Sequence, residues 1–120
     1  MNAELFYSFL EERKSCVLAE ITRLAQEGRI DESNVLKAKF NVYDICKAVY
    51  GAATAQSKDD AGNAFQATFN KITSPWKASL EKAKAHGDDH KVLIEEAKLE
   101  AAQEINAKYA ELSEGKGGLS

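Results

Sequence analysis

The chain has 120 residues, of which 16 are Lys or Arg and 19 are Asp or Glu, so its formal net charge is −3. This length is typical of one domain, and the hydrophobic content of 44% is enough for a core without disulfide or metal crosslinks. No apolar run approaches the roughly 20 residues that a membrane-spanning helix needs, and Glu4, Glu11 and Glu12 are unlike a secretory signal peptide. The composition therefore argues against export and membrane insertion and predicts a cytoplasmic protein.

The first predicted helix covers residues 2–27, where apolar side chains recur with the 3.6-residue period of one helix face. Gly28 follows at the position where a left-handed residue ends a helix. The apolar positions of this helix are Leu5, Phe6, Phe9, Leu10, Cys16, Val17, Ile21 and Leu24.

The second predicted helix begins at Asp31, a residue type that caps the free amides of a first turn, and ends between Ala53 and Ser57. Ile30 and Val35 have the spacing of a hydrophobic staple. Two apolar stripes run along this helix, which is therefore expected to be the most buried of all. One stripe holds Val35, Val42, Cys46, Val49 and Ala53, and the other holds Leu36, Phe40, Tyr43 and Tyr50.

The third predicted segment begins at Asp59 or Asp60, and its apolar stripe keeps its phase across Pro75. A proline inside a helix costs about 3 kcal/mol. Either one helix is kinked at Pro75, or two coaxial helices meet there with Ser74 as the N-cap. The stripe consists of Ala61, Phe65, Phe69, Ile72, Trp76, Leu80 and Ala83.

The fourth predicted helix runs from residue 89 to 112 or 113, with a stripe of Ile94, Ala97, Ala101, Ile105, Tyr109 and Leu112. Four segments of similar length with short connections predict an antiparallel, up-down-up-down four-helix bundle, with a five-helix arrangement as the alternative. We expect one domain over residues 1–113 and a flexible, glycine-rich tail over residues 114–120.

The two cysteines, Cys16 and Cys46, fall on apolar stripes of neighbouring helices but at different levels along the bundle axis. This offset is too large for a disulfide, which requires Cα atoms within about 7 Å. We therefore expect two buried, reduced thiols, as in cytosolic proteins.

Histidine and aspartate cluster only between the third and fourth helices. Two imidazoles and two carboxylates within five residues suggest a metal site. The alternative is that these residues stabilise helix ends, because positive charge such as that of Lys82 and His86 favours a C-terminus and aspartate favours an N-terminus. The candidate ligands are His86, Asp88, Asp89 and His90. A di-iron carboxylate site is not expected, because neither histidine follows a Glu by three residues and the apolar stripes contain no Glu.

Charge is unevenly distributed. Residues 58–87 are net positive and include Lys71, Lys77, Lys82 and Lys84. This segment contains no arginine, and the pI of the chain is about 5.4, so a solvated helix face is favoured over nucleic-acid binding. In the fourth helix, Glu96, Glu100 and Glu104 form an acidic stripe that would suit a basic partner.

The chain contains no Gly-x-Ser-x-Gly turn, phosphate loop or dinucleotide fingerprint, so we predict neither an enzyme nor a bound cofactor. The leading hypothesis is a non-catalytic protein that contacts a protein partner or forms a homodimer. Its candidate surface combines the acidic stripe with the aromatic residues Phe40, Tyr43 and Tyr50, which either complete the core or form an interface. The alternatives are metal or small-molecule binding at residues 86–90 and weak nucleic-acid association through residues 71–84.

Overall fold

A computed structural model describes residues 3–56 and 61–118, with side chains described for residues 3–56 and 62–113. These residues form four α-helices and no strand: α1 (Ala3–Gln26), α2 (Ile30–Gln56), α3 (Ala61–Ala85) and α4 (Asp89–Gly118). The predicted four-helix bundle is confirmed. None of these helices combines the length and the apolar character that crossing a lipid bilayer requires.

Side-chain pairs show that consecutive helices run in opposite directions. Residues 7, 11 and 14 of α1 pair with residues 50, 47 and 44 of α2, respectively. Along α4, residues 100, 104 and 109 meet residues 39, 43 and 50 of α2, so these two helices are parallel. Phe65 and Trp76 of α3 meet residues 109 and 98 of α4, so these two helices are antiparallel. The helix directions are therefore up, down, up and down.

Helix α2 lies at the centre of the bundle and packs against all three other helices. The diagonal pair α2 and α4 is in extensive contact, whereas α1 and α4 approach each other only locally. Helices α1 and α3 lie on opposite sides of this central pair. Three neighbouring helices explain why α2 carries two apolar stripes, where a helix with one neighbour needs only one.

An aromatic cluster closes one end of the core, and each helix contributes to it. The Tyr50 ring lies 4.9 Å from Phe6, 5.4 Å from Phe65 and 6.5 Å from Tyr109, measured between centroids. All three contacts have the edge-to-face geometry that aromatic pairs favour. Phe69 stacks on Phe65 and is also completely buried.

Gly28 ends α1 as predicted, and Gly87 ends α3 in the same way. Their φ angles of 77° and 67° are ones that only glycine adopts readily. The start of α2 differs from the prediction. It includes Ile30, whose side chain is half exposed and forms no buried staple, and Asp31 lies within the first turn. Buried Ser33 joins this turn to α1 through a hydrogen bond from its hydroxyl to the carbonyl oxygen of Ile21.

Helix α3 passes through Pro75 as a single helix, which decides between the two predicted arrangements. The start predicted at Asp59 or Asp60 lies outside the described residues. Helix α4 continues to Gly118, past the end predicted at residue 112 or 113. The glycines that suggested an earlier end lower helix propensity by about 1 kcal/mol each but do not prevent helix formation.

Candidate functional site

The residues between α3 and α4 cap the two helices. His86 Nδ1 donates to the carbonyl oxygen of Lys82 at 2.8 Å, and the Asp88 carboxylate accepts from the Lys91 backbone N–H at 3.2 Å. Within residues 3–56 and 61–118, no three His, Cys, Asp or Glu side chains are placed to hold a metal ion. The structure therefore does not assemble a metal site from His86, Asp88, Asp89 and His90.

The four lysines of α3 are exposed but do not form one patch. At 100° per residue, Lys71 and Lys82 lie on one side of the helix, and Lys77 and Lys84 lie on the other. Glu81 lies between the two pairs, with its carboxylate 3.9 Å from the Lys84 ammonium group. The arrangement therefore lacks the dense basic surface that nucleic-acid binding requires.

Two carboxylates of the acidic stripe of α4 form ion pairs with neighbouring helices of the same chain. The Glu100 carboxylate lies 3.1 Å from the Lys39 ammonium group of α2, and Glu104 lies 3.0 Å from the Arg13 guanidinium group of α1. Glu96 is exposed and makes no ion pair with the described residues. Two of the three predicted partner-binding carboxylates thus join α4 to its neighbours.

Glu104 also accepts a hydrogen bond of 2.7 Å from the Tyr43 hydroxyl. Burial and this hydrogen bond to a carboxylate raise the pKa of Tyr43 to about 12, because both disfavour a phenolate. The Arg13 guanidinium lies 5.9 Å from the centre of the Tyr43 ring. The cluster therefore keeps the phenol protonated and joins three helices.

Of the three aromatic residues proposed as core or interface, Tyr43 and Tyr50 lie in the core. Phe40 is half-buried, and its ring lies 5.4 Å from the Lys14 ammonium group. Both tyrosines therefore complete the core, and neither ring is exposed for contact with a partner.

The cysteines differ from each other, contrary to the prediction that both are buried. Cys46 is buried, and burial raises the pKa of its thiol to about 12. Cys16 is exposed beside a shallow pocket that it shares with Arg13 and Lys39. Both thiols are free, as expected.

The prediction that no Glu belongs to the inward-facing positions is wrong for Glu95, whose side chain is only 8% exposed. Its carboxylate lies 3.3 Å from the Lys98 ammonium group, which in turn lies 4.6 Å from the centre of the Trp76 ring. The buried carboxylate is therefore compensated by a cation that packs on α3.

A groove of about 350 Å³ opens where α1 and α4 diverge. Val35 and Leu36 of α2 and Leu24 of α1 supply apolar surface, and Leu93 of α4 lies at its edge. The charged residues around it are engaged with one another: Arg23 with Glu20 and Glu27, and Arg29 with Glu27 and Glu32. The lining of this groove itself contains two glutamates and two arginines, so it carries no excess of either charge for a ligand.

A second groove, of about 320 Å³, lies between the C-terminal half of α2 and the N-terminal half of α3. Neither residues 48–56 nor residues 61–70 contain a single Asp, Glu, Lys or Arg. We use the name uncharged face for this groove together with the adjoining outer side of α2. Its residues are Ala38, Asn41, Ile45, Ala48, Val49, Ala52, Gln56, Ala64 and Thr68, all exposed or half-buried.

The sequence interpretation missed the uncharged face, although its signal is visible in the printed sequence. Two runs of ten residues, 48–57 and 61–70, contain no charge in a chain where 35 of 120 residues are charged. Alanine hides this signal, because a small residue suits a core and a surface equally well. The periodicity of large apolar residues therefore gave no reason to select Ala48 or Ala52.

Comparisons of the chain with family models, with curated proteins and with solved structures find no match.

Proposed function

We propose that this chain is a non-catalytic protein that acts through protein–protein contact, with the uncharged face as its contact surface. The observation that carries the proposal is the lack of charge on a continuous, solvent-accessible part of α2 and α3. Surfaces of soluble domains usually contain charged residues of both signs at roughly 25–35%. Charged residues are depleted from the central part of interfaces, and the lack of charge on this face supports such a role.

Two polar groups that could take part in chemistry, Glu104 and His86, have structural partners. Glu104 is held by Arg13 and Tyr43, and His86 binds a helix carbonyl. The uncharged face offers only amides and Thr68 as polar groups, which are suited to hydrogen bonding and not to acid–base or nucleophilic chemistry. Contact with another protein surface is therefore the function that these residues support best, and free thiols favour a cytoplasmic setting.

Site-specific photocrosslinking tests the proposal in cells that naturally make the protein. A photoreactive amino acid replaces Ala52 on the uncharged face or, as a matched control, Ala19 on the exposed side of α1. We expect a discrete crosslinked product from position 52 and none from position 19. Equal or absent crosslinking at the two positions would contradict the proposal.

A further inference from the structure

We infer that the partner of the uncharged face is a second copy of this chain, bound about a two-fold axis. The inference rests on the proposed function above and adds the identity of the partner. The first argument is that a surface without charge requires a partner surface that also lacks charge.

A charged partner gains nothing from the uncharged face. Residues 48–56 and 61–70 provide no counter-charge, so any ion placed against them loses hydration without forming a pair. The complementary surface must itself be uncharged over a comparable length. A second copy supplies such a surface, and two-fold symmetry brings the same patch of each copy together.

The shape of the face suits close packing between helices. Ala48 and Ala52 are one helical turn apart, and both are exposed on α2. Side chains of this size allow helix axes to approach at the lower end of the usual 8–10 Å range. Ala64 and Thr68 continue the same small-residue surface onto α3, so two helices from each copy participate.

The size of the face predicts a weak, reversible dimer. From Ala38 to Gln56 the face extends about 27 Å along α2, and it reaches α3 only at Ala64 and Thr68. With helix axes about 9 Å apart, the area is about 300 Å² per copy, well below the roughly 800 Å² of a standard interface. We therefore expect a weak dimer that dissociates into monomers at low concentration.

Sedimentation velocity of the purified full chain tests the inference. The mean mass should rise from 13.2 kDa towards twice that value as concentration increases. Ala52→Glu and Ala52→Lys should both weaken the dimer at least about tenfold, because either charge would be buried without a partner. Ala19→Glu, an equivalent change outside the face, should dimerise like the unaltered chain, and circular dichroism confirms that all variants are folded.

A crosslinking experiment locates the contact. Ala52→Cys in a Cys16→Ser background should form a covalent dimer with a short bismaleimide, whereas Ala19→Cys in the same background should not. A chain that remains at 13.2 kDa at about 1 mM, or a dimer that tolerates both charges at position 52, overturns the inference. If the purified chain is monomeric but position 52 still crosslinks to another protein in cells, only the identity of the partner is wrong.

Discussion

Tyr43 has a ring in the core and a hydroxyl group that reaches polar residues at the edge of the core. Its ring is fully buried, yet its hydroxyl reaches the half-buried Glu104, which Arg13 also contacts. A phenol with no partner at this position would lose the free energy of one buried hydrogen bond. One residue therefore contributes apolar packing and a polar link between helices.

The stability of the protein should fall in alkaline solution. The pKa of Tyr43 is about 12 in the folded chain against an ordinary value of 10, so unfolded chains release this proton first. The corresponding stabilisation is complete below pH 10 and is lost as the pH rises towards 12. In urea denaturation, the difference in unfolding free energy between the unaltered chain and Tyr43→Phe should shrink between pH 9 and 11. Parallel pH profiles would refute this expectation.

The two thiols should react at very different rates. Cys16 is exposed, whereas Cys46 is buried and its pKa of about 12 leaves little thiolate at neutral pH. A chromogenic disulfide reagent should therefore titrate one thiol in the native chain and two in denaturant. Cys16→Ser should abolish the native reaction, and a rapid native reaction in that variant would show that Cys46 is accessible.

At the scale of single elements, α3 continues through a residue that disfavours helices. Pro75 cannot donate the hydrogen bond that Lys71 would otherwise accept, yet Phe69 and Leu80 on either side of it remain buried. The burial of this stripe outweighs the local cost of the proline. The phase of the stripe predicted that both halves face the same core, but it left open whether one helix or two coaxial helices do so, and the structure shows one.

Replacing Pro75 with alanine should stabilise the protein. The substitution restores a helical hydrogen bond, and the proline ring is exposed, so little packing is lost. Alanine also makes the unfolded chain more flexible, which reduces the gain. We expect an increase of about 1–2 kcal/mol in the free energy of unfolding. The neighbouring exposed substitution Ser74→Ala should change it by only a few tenths, and destabilisation by Pro75→Ala would contradict the argument.

At the scale of the whole molecule, one hydrophobic cluster includes buried residues from all four helices. Among the residues with described side chains this cluster joins the four helices, so the bundle should unfold as a single unit. The single Trp76 reports on α3, whereas far-ultraviolet circular dichroism reports on every helix. Loss of one central side chain should therefore affect both signals equally.

Phe65→Ala should lower the free energy of unfolding by about 3–5 kcal/mol, because this completely buried ring contacts residues from the three other helices. Fluorescence and circular dichroism should give coincident denaturation curves. Phe40→Ala, at a half-buried position, should cost distinctly less. Separate transitions for the two signals would show that α3 unfolds independently.

The fold was readable from the sequence, whereas the candidate site was not. Large apolar residues at a spacing of three and four define buried helix faces, and they identified Phe65, Phe69 and Ile105 correctly. The same rule failed at the edge of a stripe, where Cys16 is exposed, and for Glu95, whose burial depends on a neighbouring lysine. The uncharged face required knowing which sides of α2 its neighbours leave open, and helix spacing alone does not determine that arrangement.

The distribution of aromatic residues makes the two ends of the molecule unequal. Interlocking rings close one end, whereas at the other α1 and α4 diverge around a groove edged by the aliphatic side chain of Leu93. Amide protons near the two glycine turns should therefore exchange with solvent well before those surrounding Tyr50. We therefore expect local opening to begin near Gly28 and Gly87, while the amides of the helical residues around Tyr50 stay protected until global unfolding.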